Sequence, residues 1–335
     1  MLNVFDEAPE GLFSTPAEGL LRLLGGPSLI RIPGFSKPSL FISVLLHGNE
    51  TSGWNAVSRL LRDRSQLPRD LLLFIGNVEA AASGKRALTG QPDYNRIWRD
   101  FDGPEAELAS QLLNILRREP LFVALDIHNN TGRNPHYSVL TELDGASKGL
   151  AFLFSDKAVY IEEPDTVLGR ALRELCPATT IEVGPVGDLA SDDRTFELLQ
   201  AYMALSEVPE DPGDDLKMHR SLGRIHIMDE VEFDFTDDVP IEKQESEDLV
   251  LTSGVEAVNF HEIPQGFRFG VSHKPLAETV RVLDPAHRDI TAEFLETLDD
   301  GTIVLRKPAI PAMFTTDHAV IRQDCLCYLM EIMAP

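Results

Sequence analysis

Two histidines and two glutamates carry the chemistry open to this sequence. His47 and Glu50 stand three residues apart in LFISVLLHGNE (40–50), His128 ends LFVALDIH (121–128), and Glu182 lies in TTIEV (179–183). Imidazole and carboxylate are common ligands of a catalytic zinc ion, which takes three protein groups and keeps a fourth position for water. HxxE sets two ligands across a tight turn. His128 follows Glu50 by 78 residues, room for a further strand and helix to bring a third ligand alongside. Zinc draws the pKa of bound water towards ~7 and polarises a carbonyl. A fourth group must then take the water proton and pass it to a leaving amine, and a carboxylate such as Glu182 suits that work. Each signal alone has a plainer reading. HxxE arises by chance, His128 can be a hydrogen-bonded core histidine, and Glu182 a paired carboxylate. What lifts them above that reading is their shared place at the ends of predicted strands.

Those strands are short apolar runs rich in β-branched residues, as in a sheet buried on both faces. Leu40–Leu46 is the first. Gly48-Asn49 ends it with residues that tolerate unusual backbone angles. A helix follows, with Trp54, Val57, Leu60 and Leu61 at helical spacing. Leu71–Gly76, Leu121–Ile127 and Thr179–Val183 are further inner strands, with Tyr137–Leu140 and Ala158–Ile161 as two more. Helices are expected over Glu105–Arg118, Thr166–Leu175 and Asp193–Leu205, and a short one over Pro16–Leu24 before an edge strand near Ser28–Pro33. Asn77–Asp100 reads as a long loop, and such loops inside a compact domain are usually functional. Strands alternating with helices predict an α/β domain over 1–207, with a mixed, mostly parallel sheet covered by helices on both faces. Ligands of such sheets bind at the C-terminal strand ends, where His47, Glu50, His128 and Glu182 fall.

The composition shifts at EVPEDPGDD (207–215), a Pro-rich acidic linker. Beyond it, over 216–335, the helical pattern gives way to short strand-like runs, including Val320–Leu326, which predicts a smaller β-rich C-terminal domain. The acidic stretch Asp229–Asp248 reads as solvated surface. With 43% hydrophobic residues in 335, the chain can bury a sizeable core. A net charge of −24 argues against nucleic acid and anionic membranes as partners. No apolar run approaches the ~20 residues of a membrane helix. Three cysteines (Cys176, Cys325, Cys327) and an acidic N-terminus fit a cytoplasmic protein with reduced thiols. The CxC pair could share a strand face as metal ligands, but a strand in the core is the plainer reading.

HGNE (47–50), GNVEAAASGKR (76–86), DYNRIW (93–98), LDIHNNTG (125–132) and IEVGP (181–185) together resemble the succinylglutamate desuccinylase/aspartoacylase family, a branch of the zinc carboxypeptidase superfamily. The resemblance spans roughly residues 40–205. It implies a carboxypeptidase-like α/β domain followed by a β-rich one, and one zinc ion held by His47, Glu50 and His128. It further implies Glu182 as general base and then acid, Arg86 facing the scissile carbonyl, and Asn95 with Arg96 binding a substrate carboxylate. A planar guanidinium can hold both oxygens of that carboxylate. Asp126, on the strand face of His128, can accept from a ligand imidazole; solvation at a strand end is the plainer alternative. The implied activity is release of an acyl group from an N-acyl amino acid or similar small amide. A homodimer is a family-level expectation. A carboxypeptidase or peptide amidase is the alternative enzyme, and a non-catalytic metal-bearing binding protein the alternative outside catalysis. The chain departs from the family at Tyr94 and Trp98, which are expected to reshape the pocket. Arg170 and Arg173 align poorly with a further substrate arginine, and no tyrosine occupies the expected place near Phe314–Ile321.

Overall fold

The computed structural model describes residues 1–62, 66–237 and 247–333. The chain divides into two compact units, one of residues 1–129 and 136–217 and one of residues 130–135 and 218–334. The acidic stretch Asp229–Asp248 falls in part outside the described residues.

The first unit is built on a mixed sheet. Its strands are β1 (Asn3–Phe5), β2 (Ser28–Ile32), β3 (Ser39–Val44), β4 (Leu71–Ile75), β5 (Leu121–His128), β6 (Tyr137–Leu140), β7 (Lys157–Tyr160) and β8 (Ala178–Glu182). Their order is β1-β2-β4-β3-β5-β8-β6-β7. Pairing is parallel except between β2 and β4 and between β8 and β6. The helices are α1 (Leu20–Leu24), α2 (Ser52–Arg62), α3 (Val78–Ala81), α4 (Glu105–Leu116), α5 (Gly145–Phe152), α6 (Leu168–Arg173) and α7 (Leu189–Ala204).

Side chains alternate across each strand, and both faces are apolar. Leu40, Ile42 and Val44 of β3 pack with Trp54, Val57 and Leu60 of α2 and with Leu198, Leu199 and Tyr202 of α7. Phe41 of β3 and Phe74 of β4 pack on the other face, against Leu108, Leu112 and Leu116 of α4 and Leu168 and Leu172 of α6. A strand covered on both sides has no polar face to show, which is why β3 reads LFISV rather than alternating.

Three expectations are corrected here. β2 is not an edge, because β1 pairs outside it in parallel. Helix α5 interrupts the stretch read as strands alone, capped by Asp144, whose carboxylate accepts from Ser147 N at 3.1 Å. Val320–Leu326 is not a strand. Asp317 accepts from Ala319 N and Val320 N, and that cap starts a helix over His318–Gln323. The strand begins only at Cys327, and Cys325 and Cys327 are both buried thiols.

The second unit is β-rich. A five-stranded sheet runs β10 (Phe233–Thr236), β11 (Leu249–Thr252), β12 (Arg268–Ser272), β15 (Thr302–Leu305), β14 (Leu295–Thr297), antiparallel except for β10 with β11. β9 (Lys217–Ile227) pairs antiparallel with β13 (Val280–Leu283) and with β17 (Cys327–Ile332), and β17 with β16 (Ile310–Ala312). Phe233, Phe269, Phe294 and Phe314 anchor its own core. Among the described residues no helix is long and apolar enough to cross a membrane.

Candidate functional site

The site grows from the ends of β3, β5 and β8. At the end of β3 the backbone leaves the strand through Leu45, fully buried with φ at +57°. That left-handed conformation is strained for leucine and re-aims the chain. His47–Glu50 closes as a turn, with Glu50 N donating to His47 O at 3.1 Å. Gly48 is there for proximity rather than for an unusual φ: a Cβ would lie 2.2 Å from Ala81 N of α3. Gly48 N donates to Arg86 O at 3.0 Å, which pins the loop after β4 to this turn. Asn77 caps α3 through Ala80 N, and its Nδ2 donates to Gln91 Oε1 at 2.9 Å. The long loop is thereby folded back over the turn.

His47, Glu50 and His128 form, among the described residues, the one group of three whose ligand atoms lie close enough to share a metal ion. All three side chains are buried. The two Nδ1 atoms are 3.3 Å apart, and Glu50 Oε1 and Oε2 lie 2.7 Å from His47 Nδ1 and 2.9 Å from His128 Nδ1. Ligands 2.0–2.1 Å from a tetrahedral ion stand about 3.3 Å apart, so the imidazole pair already has that spacing. Each ring is gripped from behind. His47 Nε2 meets Asp93 Oδ1 at 2.8 Å, and His128 Nε2 meets Asp126 Oδ2 at 3.0 Å. A carboxylate at Nε2 makes that nitrogen the donor and leaves the Nδ1 lone pair as the ligand. Two lone pairs and a carboxylate then face one another across a buried space, which suits a cation.

The charges agree. Burial opposes ionisation of Glu50, but His47 and His128 outweigh it and hold its carboxyl well below the usual range. Asp93 is held far down in the same way: burial opposes, and the hydrogen bond from His47 with the charges of Arg86 and Arg96 prevails. His128 is pushed well up, because Asp126 and Glu50 outweigh its burial. The carboxylates favour positive charge where the rings meet, whether a proton or a metal ion brings it.

Arg86 bridges this cluster, Nη1 donating to Glu50 Oε1 and Nη2 to Asp93 Oδ2, each at 3.2 Å. Asp93 also starts the helical turn Tyr94–Arg96 by accepting from Asn95 N at 2.7 Å. One carboxylate thus orients the His47 ring and presents the next two residues. Asn95 Oδ1 accepts from Leu168 N at 3.0 Å and so holds the start of α6. Arg96 is half-buried, with Nη1 donating to Asn95 O at 2.9 Å. Glu182 is the register partner of His128 on the neighbouring parallel strand, so the two side chains share a sheet face. It lies outside the three-residue ligand group. Burial pushes its carboxyl up to about 8, against the opposing charges of His128 and Arg86, and its Oε2 has no hydrogen-bond partner among the described residues.

Asp93 was not singled out by the sequence reading. Its signal is its place two residues before Asn95, a carboxylate free to cap the turn and reach back to a ligand. Tyr94 and Trp98 are both buried in the core, Trp98 edge-on to Phe74. Arg170 Nη2 donates to Ile161 O and Glu162 O, and Arg173 to Asp144, so both brace neighbouring backbone and loop.

No curated protein sequence matches the chain. Among solved structures it is similar to succinylglutamate desuccinylase from Vibrio parahaemolyticus, at TM-score 0.59 and 14% identity over 91% of this chain and 86% of that one. Succinylglutamate desuccinylase/aspartoacylase from Rhodobacter sphaeroides gives TM-score 0.59 and 12% identity over 92% and 89%. Murine aminoacylase 3 gives 0.55 and 14% over 89% and 97%. These likenesses establish a shared fold. Residues 36–206 match the model of the succinylglutamate desuccinylase/aspartoacylase catalytic domain, about half of the 335 residues, and the chain belongs to that family.

Proposed function

We propose that the protein is a zinc-dependent amide hydrolase that removes the acyl group from an N-acyl amino acid or similar small amide. The observation that carries this reading is the pair of Nδ1 atoms 3.3 Å apart, each made a lone-pair donor by a carboxylate at its Nε2, with Glu50 between them. His47, Glu50 and His128 would hold the ion, and their nitrogen and oxygen donors suit zinc. Zinc in that place supplies a water acidified towards neutral pH and a Lewis acid for the carbonyl.

The rest is the work of the chain's own groups. Glu182 takes a proton from the attacking water and returns it to the amine nitrogen as the amide C–N bond breaks. The Arg86 guanidinium, beside Glu50, donates to the carbonyl oxygen as negative charge develops there. Arg96 holds the substrate carboxylate, helped by the Asn95 amide nitrogen, since the Asn95 oxygen is engaged by Leu168.

The test is a panel of N-acetyl-, N-succinyl- and N-formyl-amino acids, with short peptides, offered to chelated protein before and after zinc is restored. Acyl release that appears only with zinc supports the reading. Trimming of peptides with no acyl release would instead make it a carboxypeptidase. Zinc retention with no hydrolysis of either class would make it a binding protein.

A further inference from the structure

We infer that Asn129 is a positioning residue that fixes Glu182 against the ligand turn. The inference rests on the reading above, in which Glu182 transfers the proton. Asn129 follows His128 and is buried, 5% exposed. Its side-chain polar atoms are all engaged with segments that flank the site. Nδ2 donates to Gly184 O at 2.8 Å and to Ser52 Oγ at 3.0 Å, and Oδ1 accepts from Ser52 N at 3.2 Å. Its backbone N donates to Glu50 Oε2 at 3.2 Å. Ser52 opens α2 two residues past Glu50, and Gly184 lies two residues past Glu182. One carboxamide therefore ties the turn bearing two ligands to the segment bearing Glu182.

That tie matters because little else holds the Glu182 carboxyl. Oε2 is enclosed with no partner among the described residues, so the group is aimed chiefly by its backbone. β8 ends at Glu182, and beyond it Val183 N donates to His128 O at 2.9 Å. Gly184 then bends away at φ +95°, where a Cβ would collide with Ser191 Oγ at 2.5 Å. The bend has left the sheet ladder, and the Asn129 amide holds its carbonyl. Glu50 is held differently, by the backbone N of Asn129, which survives any substitution of the side chain. Loss of the carboxamide should thus disturb proton transfer and leave metal binding nearly intact.

Asn129→Ser is neutral and one bond too short to keep the Gly184 contact. Misplacement of a reacting group by ~1 Å can cost about 100-fold in rate. The expected result is a fall in kcat of about that size on the best substrate of the panel, with KM and zinc affinity within about threefold. Ser52→Ala, which keeps the Gly184 contact, should stay within about threefold in kcat. In a Glu182→Gln background, Asn129→Ser should slow the residual rate no further. A crystal structure of zinc-loaded Asn129→Ser should show Gly184 and Glu182 displaced and Glu50 in place. The inference is overturned if zinc affinity and thermal midpoint fall in step with kcat, if the Glu182→Gln background still shows the full loss, or if Glu182 has not moved. Should Asn129→Ser fail to fold, Asn129→Asp keeps the shape while setting an oxygen against the Gly184 carbonyl, and the same outcomes decide. If the panel is not hydrolysed or Glu182→Gln stays fully active, the functional reading fails by itself, and the crystal structure alone judges the tie.

Discussion

The His47–Glu50–His128 cluster and Glu182 sit at the ends of the consecutive strands β3, β5 and β8 yet are built on opposite plans. Both ring nitrogens of His47 and His128 and both oxygens of Glu50 have polar partners. Glu182 has one oxygen, Oε2, enclosed with no partner among the described residues, and burial pushes its carboxyl up to about 8. A group that holds a cation gains from being oriented in advance, because each fixed contact narrows its geometry to one the ion fits. A group that accepts and releases a proton gains from the reverse, since stabilising either form too well would hold the proton on one side. On the proposed reading, the cluster serves binding and Glu182 serves turnover.

The sharpest way to break this contrast is to substitute one side and read the other. Glu182→Gln should lower kcat by about 10³-fold, within the range for general acid–base catalysis, while zinc content by elemental analysis stays at the wild-type value. A loss of zinc in that variant would place Glu182 among the ligands. Asp93→Asn and Asp126→Asn should do the converse. Each removes the charge behind one ligand ring and should weaken zinc affinity about 10–100-fold, read by chelator competition. An unchanged affinity would leave Asp126 as a buried hydrogen-bond partner of His128 with no part in tuning the site.

Burial of the Glu182 carboxyl also gives the metal-free protein a stability signature. Its pKa is raised from 4.5 to about 8 by burial, so the folded state prefers it protonated. Stability is lost as pH rises from the unfolded value through the folded one, and stays lost above it. Glu182→Gln should therefore stabilise the chelated protein by about 2–4 kcal/mol at pH 9 and by almost nothing near pH 4, read by urea unfolding. A difference independent of pH would show that the carboxyl is not destabilised. The smallest effect is at the rim: Arg96→Ala should raise KM about tenfold for substrates with a free carboxylate and leave uncharged amides nearly unchanged. Equal effects on both would remove Arg96 from carboxylate recognition.

Much of the site could be read from the sequence because it sits where period and apolarity change. β3, β4, β5 and β8 are buried on both faces, and His47, Glu50, His128 and Glu182 stand where the strands end. What pattern could not supply were contacts between segments distant in sequence. Asp93 reaches His47 across 46 residues, and Asn129 reaches Gly184 across 55. Gly48 looked like a turn residue, and only the approach of α3 shows why it lacks a side chain. Val320–Leu326 has the apolar content of a strand, but the Asp317 cap decides the local structure before that content can act. Tyr94 and Trp98 stand out because they depart from the family pattern beside Asn95 and Arg96. A turn, however, exposes some positions and buries others, and theirs are buried.

The proposed activity requires two imidazoles and one carboxylate to share a single ion. Competition titration of chelated protein with zinc, run on the wild type, His128→Ala and Glu182→Gln, tests this most directly. The predicted result is one zinc ion per chain in the wild type and in Glu182→Gln, with binding lost in His128→Ala. Wild-type binding left intact by His128→Ala, or no binding at all in the wild type, would contradict it.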